Sequence, residues 1–318
     1  MFIKPAFRLV KDGTTFHFMR GRFAGLIVSA VLSIGSLILF FHPGLNLGID
    51  FKGGIVMEVK TPVAADIAAI RAALSAAGLH EPGVQRFGGE DQIAIRLEAQ
   101  PTEAATQQVV TTVRTALDKA QPGSKIQRTD AVGASVSAEL FQDGMLALGL
   151  SLLMILVYIW FRFEWQFAVG AVVTLILDVT KAIGFLVLTR FDFDLVMVGA
   201  ILTVIGYSTN DKVVVYDRMR ENLRKYKSMP LRELIDLSIN ETLNRTLGTS
   251  MTLFLASLPL ALFGGSTLSG FAWVMLFGIV VGTSSSIFIA APILLFLGEK
   301  QLRREAQAPA PETAKVTK

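Results

Sequence analysis

Apolar residues along this chain fall into long blocks separated by polar stretches. Phe23–Phe41 is uncharged, and at 1.5 Å of rise per residue it is long enough to cross a bilayer. Met145–Phe161, Leu247–Phe263 and Phe271–Leu297 are uncharged runs of the same kind. Two further blocks, Trp165–Thr189 and Leu195–Tyr216, are equally long but carry charge: Asp178 and Lys181 in the first, Asp211 and Lys212 in the second. The pattern predicts six transmembrane helices. The first is read as an uncleaved span, because it is long for a signal peptide and FHPGLNLG after it lacks a small-x-small cleavage site.

The polar stretch between spans one and two, residues 42–142, has a different rhythm. Ile55, Met57 and Val59 alternate with Val56, Glu58 and Lys60, which is strand period. Thr61-Pro62 then opens a helix with Val63, Ile67, Ile70 and Leu74 on one side. Val84–Phe87 and Ile93–Leu97 read as a strand pair about a Gly88-Gly89 turn. A second helix after Pro101-Thr102 carries Val109, Val113 and Leu117, and Lys125–Thr129 closes the set as a strand. The order β-α-β-β-α-β predicts an α+β, ferredoxin-like domain of about ninety residues, large enough to fold alone.

Composition agrees with this division. Hydrophobic residues make up 52% of the 318 and charged residues only 18%, too apolar for an ordinary soluble domain. Residues 44–140 hold nine Lys and Arg against eleven Asp and Glu, so the basic excess lies elsewhere and does not mark a nucleic-acid-binding domain. That excess sits at the N-terminus (Lys4, Arg8, Lys11, Arg20, Arg22), at Arg162, over Arg218–Arg232 and at Lys300, Arg303 and Arg304. With six spans all of these fall on one side, which the positive-inside rule makes cytoplasmic. The expected layout is a cytoplasmic N-terminus over 1–22, span one over 23–41, a periplasmic domain over 42–142, and spans two to six over 143–298. A cytoplasmic loop covers 217–246 and a disordered cytoplasmic tail 299–318. Pro230–Leu243 places Leu231, Leu234, Ile235, Ile239 and Leu243 on one side, as a helix lying on membrane lipid would.

The charges inside the spans are the candidate chemistry. Asp178, Lys181, Asp211, Lys212 and the span-edge Arg245 would together cost roughly 13–17 kcal/mol if exposed to lipid. They must face one another or water. Asp178 and Lys181, three residues apart, share a helix side, whereas Asp211 and Lys212 diverge by about a hundred degrees and each needs a partner on another helix. A buried network that only fixes helix register is one reading; a proton relay is the other. His17, His42 and His80 lie outside the spans, so a proton crossing the membrane must ride on a carboxylate. Asp211, beside Asn210 and the small or polar Gly206 to Thr209, is the better candidate, since burial and a nearby cation act on it in opposite senses. There is no Cys, hence no disulfide or thiolate metal site, and no GxxxxGK[ST] loop for ATP; neither a metal nor another cofactor is expected. Gly278 and Gly282, with Ser284–Ser286 after them, give span six a small-residue surface, for packing within the chain or between subunits.

Three segments together resemble one family. LGIDFKGG after span one, IGYSTNDKVVVYDRMREN in span four and NETLNRTLGTSMT before span five are similar to the signatures of the SecF family of bacterial protein-export subunits. The likeness runs through residue 297, and from span two onward it extends to the wider resistance-nodulation-division (RND) superfamily. It implies an inner-membrane, non-enzymatic helper of the SecYEG channel. The chain would act with SecD, a homologous six-span partner, and use the proton-motive force to move unfolded preprotein at late stages of translocation. By position, Asp211 would be the titrating carboxylate, Arg245 its cationic partner and Asp178 the family's span-three carboxylate, with Lys181, Lys212 and Asn210 as network partners. Lys181 and Lys212 stand where many relatives have Thr-like residues. Gly48, Asp50, Gly53 and Gly54 form the motif after span one. An RND-type exporter of lipids or small molecules would share the spans and the Asp, and a purely structural subunit would share the buried network. An intramembrane aspartyl protease would use two Asp on adjacent spans, but the GxGD context is missing.

Overall fold

The computed structural model describes residues 14–79, 82–86 and 89–297. Lys4, Arg8, Lys11, His80, Phe87, Gly88, Lys300, Arg303, Arg304 and the rest of the tail lie outside that set. Helix α1 (Arg22–Phe41) exposes most of its apolar side chains and buries only Ser29, Ser33 and Ser36, one stripe at helical spacing. That stripe meets the helix carrying Gly184, where an added Cβ would overlap Ser36. Small side chains let the two backbones approach closely.

After α1 comes a four-residue helix, α2 (Ile49–Lys52), which ends at Gly53 (φ 73°) and feeds directly into β1 (Gly54–Lys60). Then follow α3 (Ile67–Ala76), β2 (Gly83–Arg86), β3 (Gln92–Leu97), α4 (Glu103–Ala120) and β4 (Lys125–Val132). The sheet is antiparallel in the order β2-β3-β1-β4. Register sets the two inner strands so that Met57 faces Ile95 and Val59 faces Ile93, and these pack with Ile70, Leu74, Val113 and Leu117 of the two helices. The first helix starts later than the sequence suggested. Asp66 is its N-cap, accepting from the Ala68 and Ala69 amides, and Val63 lies outside it, exposed. A carboxylate that can take two orphan N–H groups outcompetes Thr61-Pro62 as the start signal.

Five long helices follow: α5 (Ala134–Arg162), α6 (Trp165–Thr189), α7 (Leu195–Lys225), α8 (Leu231–Phe263) and α9 (Gly265–Ser285). α9 passes through a π-helical turn, Ser286–Ala290, into α10 (Ala291–Phe296). By length and composition five helical segments among the described residues are apolar enough to cross a membrane: α1, α5, α6, α8 and Leu268–Phe296. α7 is not among them, although it packs against α5, α6, α8 and α9. Its polar centre lowers its hydropathy.

Residues 217–246 differ from the expected loop. All but the short stretch 226–230 is helix, because α7 runs on to Lys225 and α8 begins at Leu231. No Gly or Pro interrupts 231–247, so nothing separates the amphipathic segment from the apolar one. The apolar side of that segment faces protein: Leu231, Leu234, Ile235, Ile239 and Leu243 are buried with Ile159, Phe167, Tyr216, Met219 and Leu223. The chain's N-terminal segment crosses the same helix, with the Met19 amide donating to Asp236 at 2.8 Å and Asn240 holding both main-chain groups of Phe16.

Candidate functional site

Four ionisable side chains are enclosed where α6, α7 and α9 meet. Asp178 is 2% exposed, Lys181 3%, Asp211 2% and Lys212 1%. On insertion scales four such charges facing lipid would cost about 10–14 kcal/mol, which the enclosure avoids. Asp178 is the hub. Its Oδ2 accepts from Lys212 Nζ at 2.9 Å, from Ser208 Oγ at 2.7 Å and from Ser285 Oγ at 2.7 Å, and its Oδ1 lies 3.5 Å from Lys181 Nζ. Ser208 and Lys212 are one turn apart on α7, so the lysine also donates to the Ser208 hydroxyl and, at 3.3 Å, to its carbonyl. Ser285 is brought in by α9, whose Gly278 and Gly282 let Val204 and Ser208 of α7 come close. Both glycines are thus spent within the chain. The π-helical turn that follows Ser285 is a frequent companion of functional sites.

Asp211 is placed differently. Its neighbour Lys212 has turned to Asp178, as divergence on the helix required, and Asp211 Oδ2 is buried with no hydrogen-bond partner among the described residues. The Thr283 hydroxyl lies against the same carboxyl, and from there hydroxyl contacts continue outward. Thr283 Oγ1 is 2.8 Å from Ser250 Oγ on α8, which in turn contacts the Tyr207 hydroxyl. Of the other sequence candidates, Asn210 is exposed on α7 and Arg245 is exposed on α8 without an ion pair to Asp211. The structure therefore joins Asp178, Lys181 and Lys212, sets Asp211 beside them, and leaves Arg245 and Asn210 on the outer face of the bundle. Sequence reasoning missed Thr283, Ser285 and Ser250 as members. Only Ser208, at i−4 from Lys212, had a usable spacing signal.

The motif after α1 lies at the other end of α7. Leu195 and Asp211 are sixteen residues apart, about 24 Å along the helix. There Asp50 Oδ2 accepts the Leu195 amide at 3.1 Å, and Gly48 N donates to Phe193 O at 2.9 Å. Gly54 has φ 139°, and a Cβ there would stand 2.7 Å from the Leu97 carbonyl, so a side chain does not fit. Asp192 and Asp194 complete an acidic group with Asp50. Burial pushes the Asp194 carboxyl up to about 6, opposed by its hydrogen bond from the Met197 amide and reinforced by Asp50 and Asp192. Burial also raises Asp192, against the pull of Arg96, its partner from β3.

Comparison with known proteins identifies the family. The sequence model of the protein export membrane protein SecD/SecF C-terminal region matches residues 112–300, and that of the SecD/SecF GG motif matches residues 38–61. The protein translocase subunit SecF of Rickettsia felis is 41% identical over 299 residues, covering 94% of this chain and 97% of that protein. The chain belongs to the SecF family. The SecF subunit of Rhodobacter capsulatus is 42% identical over 304 residues, covering 92% of this chain and 91% of the relative. Among solved structures, this SecF-family chain superimposes on SecDF, a translocon-associated membrane protein from Thermus thermophilus, with a TM-score of 0.83 at 29% identity. The match covers 93% of this chain and 40% of that one. A second SecDF crystal structure, in a super-membrane-facing form, gives a TM-score of 0.63 at 28% identity and is likewise only 41% covered. The chain is thus a multi-pass membrane protein that corresponds to less than half of a SecDF polypeptide.

Proposed function

We propose that this chain is the SecF half of an inner-membrane SecD–SecF assembly that couples proton entry to late steps of preprotein translocation through SecYEG. In this reading α7 is span four of six, both termini are cytoplasmic and the sheet domain is periplasmic. The strand order β2-β3-β1-β4 with its two helices supports a ferredoxin-like description of that domain. The observation that carries the proposal is the buried Asp211 carboxyl with an unpartnered oxygen, next to a network in which Asp178 is fully engaged. A carboxyl held by two lysines and two hydroxyls is fixed in place. One with a free oxygen and a line of hydroxyls beside it can take up and release a proton. A proton moving down 100 mV releases about 2.3 kcal/mol, enough to bias a domain movement between two states.

A purely structural role is favoured by one observation, the closed Asp178–Lys181–Lys212 network, which locks α6, α7 and α9 together. It leaves Asp211 without a task. Export of a preprotein into inverted membrane vesicles, with and without an imposed proton gradient, separates the readings. The proposal expects the gradient to stimulate export only in vesicles that contain this chain and co-purify a six-span partner. Equal stimulation in vesicles lacking the chain overturns it.

A further inference from the structure

The first amides of α7 need acceptors, and its own N-cap supplies only part: Asp194 takes the Met197 N–H at 2.9 Å. The Leu195 N–H is taken by Asp50, a residue 145 positions earlier. The segment bearing Asp50 is bound to the 190–195 stretch along its length. Phe193 N donates to Asn46 O at 2.7 Å and Gly48 N to Phe193 O at 2.9 Å, so Leu47 and Phe193 pair as a short parallel bridge. Asn46 Nδ2 reaches Asp192 at 2.5 Å. Phe51 is buried between Phe141 of α5 and Phe193, with ring centroids 5.4 Å from each. Downstream, Gly53 is the only residue between α2 and β1, and a second tie runs from Arg96 of β3 to Asp192. Both central strands of the sheet are therefore fastened to the start of the helix that carries Asp211, with no flexible linker between.

We infer that Asp50 is a positioning residue for transport: it clamps the N-terminus of α7 to the turn entering β1, so that displacement of the Asp211-bearing helix moves the sheet domain without slack. This rests on the proton-coupled reading above for its purpose, though not for its geometry. The glycines of the motif have a role in the same device. Gly48 keeps the turn within reach of Asp194, where a Cβ would come to 3.1 Å from the Asp194 Cβ, and Gly53 and Gly54 adopt positive φ angles that bring β1 in immediately after the helix.

The chain has no native Cys, so a disulfide can be placed across the bridge as Leu47→Cys with Phe193→Cys in full-length protein in native membranes. A clamp that moves as one piece predicts that oxidised and reduced membranes export within about twofold of each other under a proton gradient. Loss of export on oxidation, restored by reductant, shows that the contact must open and overturns the inference. Hydrogen exchange of the solubilised full chain supplies a readout independent of export. Asp50→Leu should speed exchange at both 54–60 and 195–198 by about fivefold, the scale of a lost cap, while Asp50→Asn, which keeps an acceptor oxygen, should leave both near the parent. A change confined to one segment, or none, refutes the clamp. If parental membranes show no gradient-driven export, the proposed function fails and the exchange result alone decides the clamp.

Discussion

Replacing Asp178 by Asn removes one charge from a buried group of two carboxyls and two ammonium groups and changes almost nothing in size. Lys212 Nζ loses a charged acceptor at 2.9 Å and Lys181 Nζ one at 3.5 Å, in a place where neither side chain is more than 4% exposed. Breaking a buried pair by removing one partner costs about 3–5 kcal/mol, because the remaining charge keeps its desolvation without its counter-ion. For a domain of this size that is an apparent melting shift of about 6–20 °C downward. The effect should show as lower abundance in membranes and an earlier thermal transition in detergent. If the lost counter-charge is the cause, adding Lys212→Met should recover about half of the loss or more, a coupling that independent sites would not give. An Asp178→Asn protein with parental abundance and melting refutes the hub assignment. So does a double variant that is merely the sum of two losses.

Other outcomes are equally specific. Single cysteines at Ser75→Cys and Ser228→Cys, both exposed positions, should be labelled and protected respectively when a membrane-impermeant thiol reagent is added to sealed cells; the reverse pattern inverts the proposed orientation. The Asp194 carboxyl has a folded value of about 6 against an ordinary 3.8, so between those limits the folded protein holds more protons than the unfolded chain. Stability attributable to this group therefore falls as pH rises through that window. Asp194→Asn, which can still cap α7, should gain melting temperature relative to the parent at pH 7.5 compared with pH 4.5, and an offset independent of pH would contradict the assignment.

Much of this molecule can be read from its sequence because the relevant signals are local. Long apolar runs, charged only at two positions each in α6 and α7, marked the long helices α1 and α5 to α9, and alternation at Ile55, Met57 and Val59 marked the strand that became central to the sheet. The Asp178–Lys181 pair followed from spacing on one helix. What crossed between helices did not. Nothing in the spacing of Lys212 says that it reaches Asp178 rather than an acid on α8, since that depends on the rotation of α7 against α6. Ser285 and Thr283 are ordinary small polar residues in a span until α9 is packed in place. Val63 was assigned to a helix on its apolar character, but Asp66 beyond it offered two amides an acceptor and moved the start. Leu231 to Leu243 had the right periodicity and the wrong surroundings: the same apolar side suits a lipid surface or a protein core, and here it packs under the N-terminal segment and α7. The motif around Gly48 and Asp50 was visible as a family signature, with nothing in its letters to show what it touches. Its meaning lies in a contact with Leu195, far along the chain.

The central claim is that Asp211, not the closed network beside it, carries the proton. Asp211→Asn keeps the size and hydrogen-bonding capacity of the side chain and removes its titration, and export measured over a range of imposed proton gradients reads the consequence. The account predicts a protein of normal abundance and normal partner binding whose export no longer responds to the gradient. Export that rises with the gradient as steeply as in the parent, at the same abundance and partner binding, would contradict it.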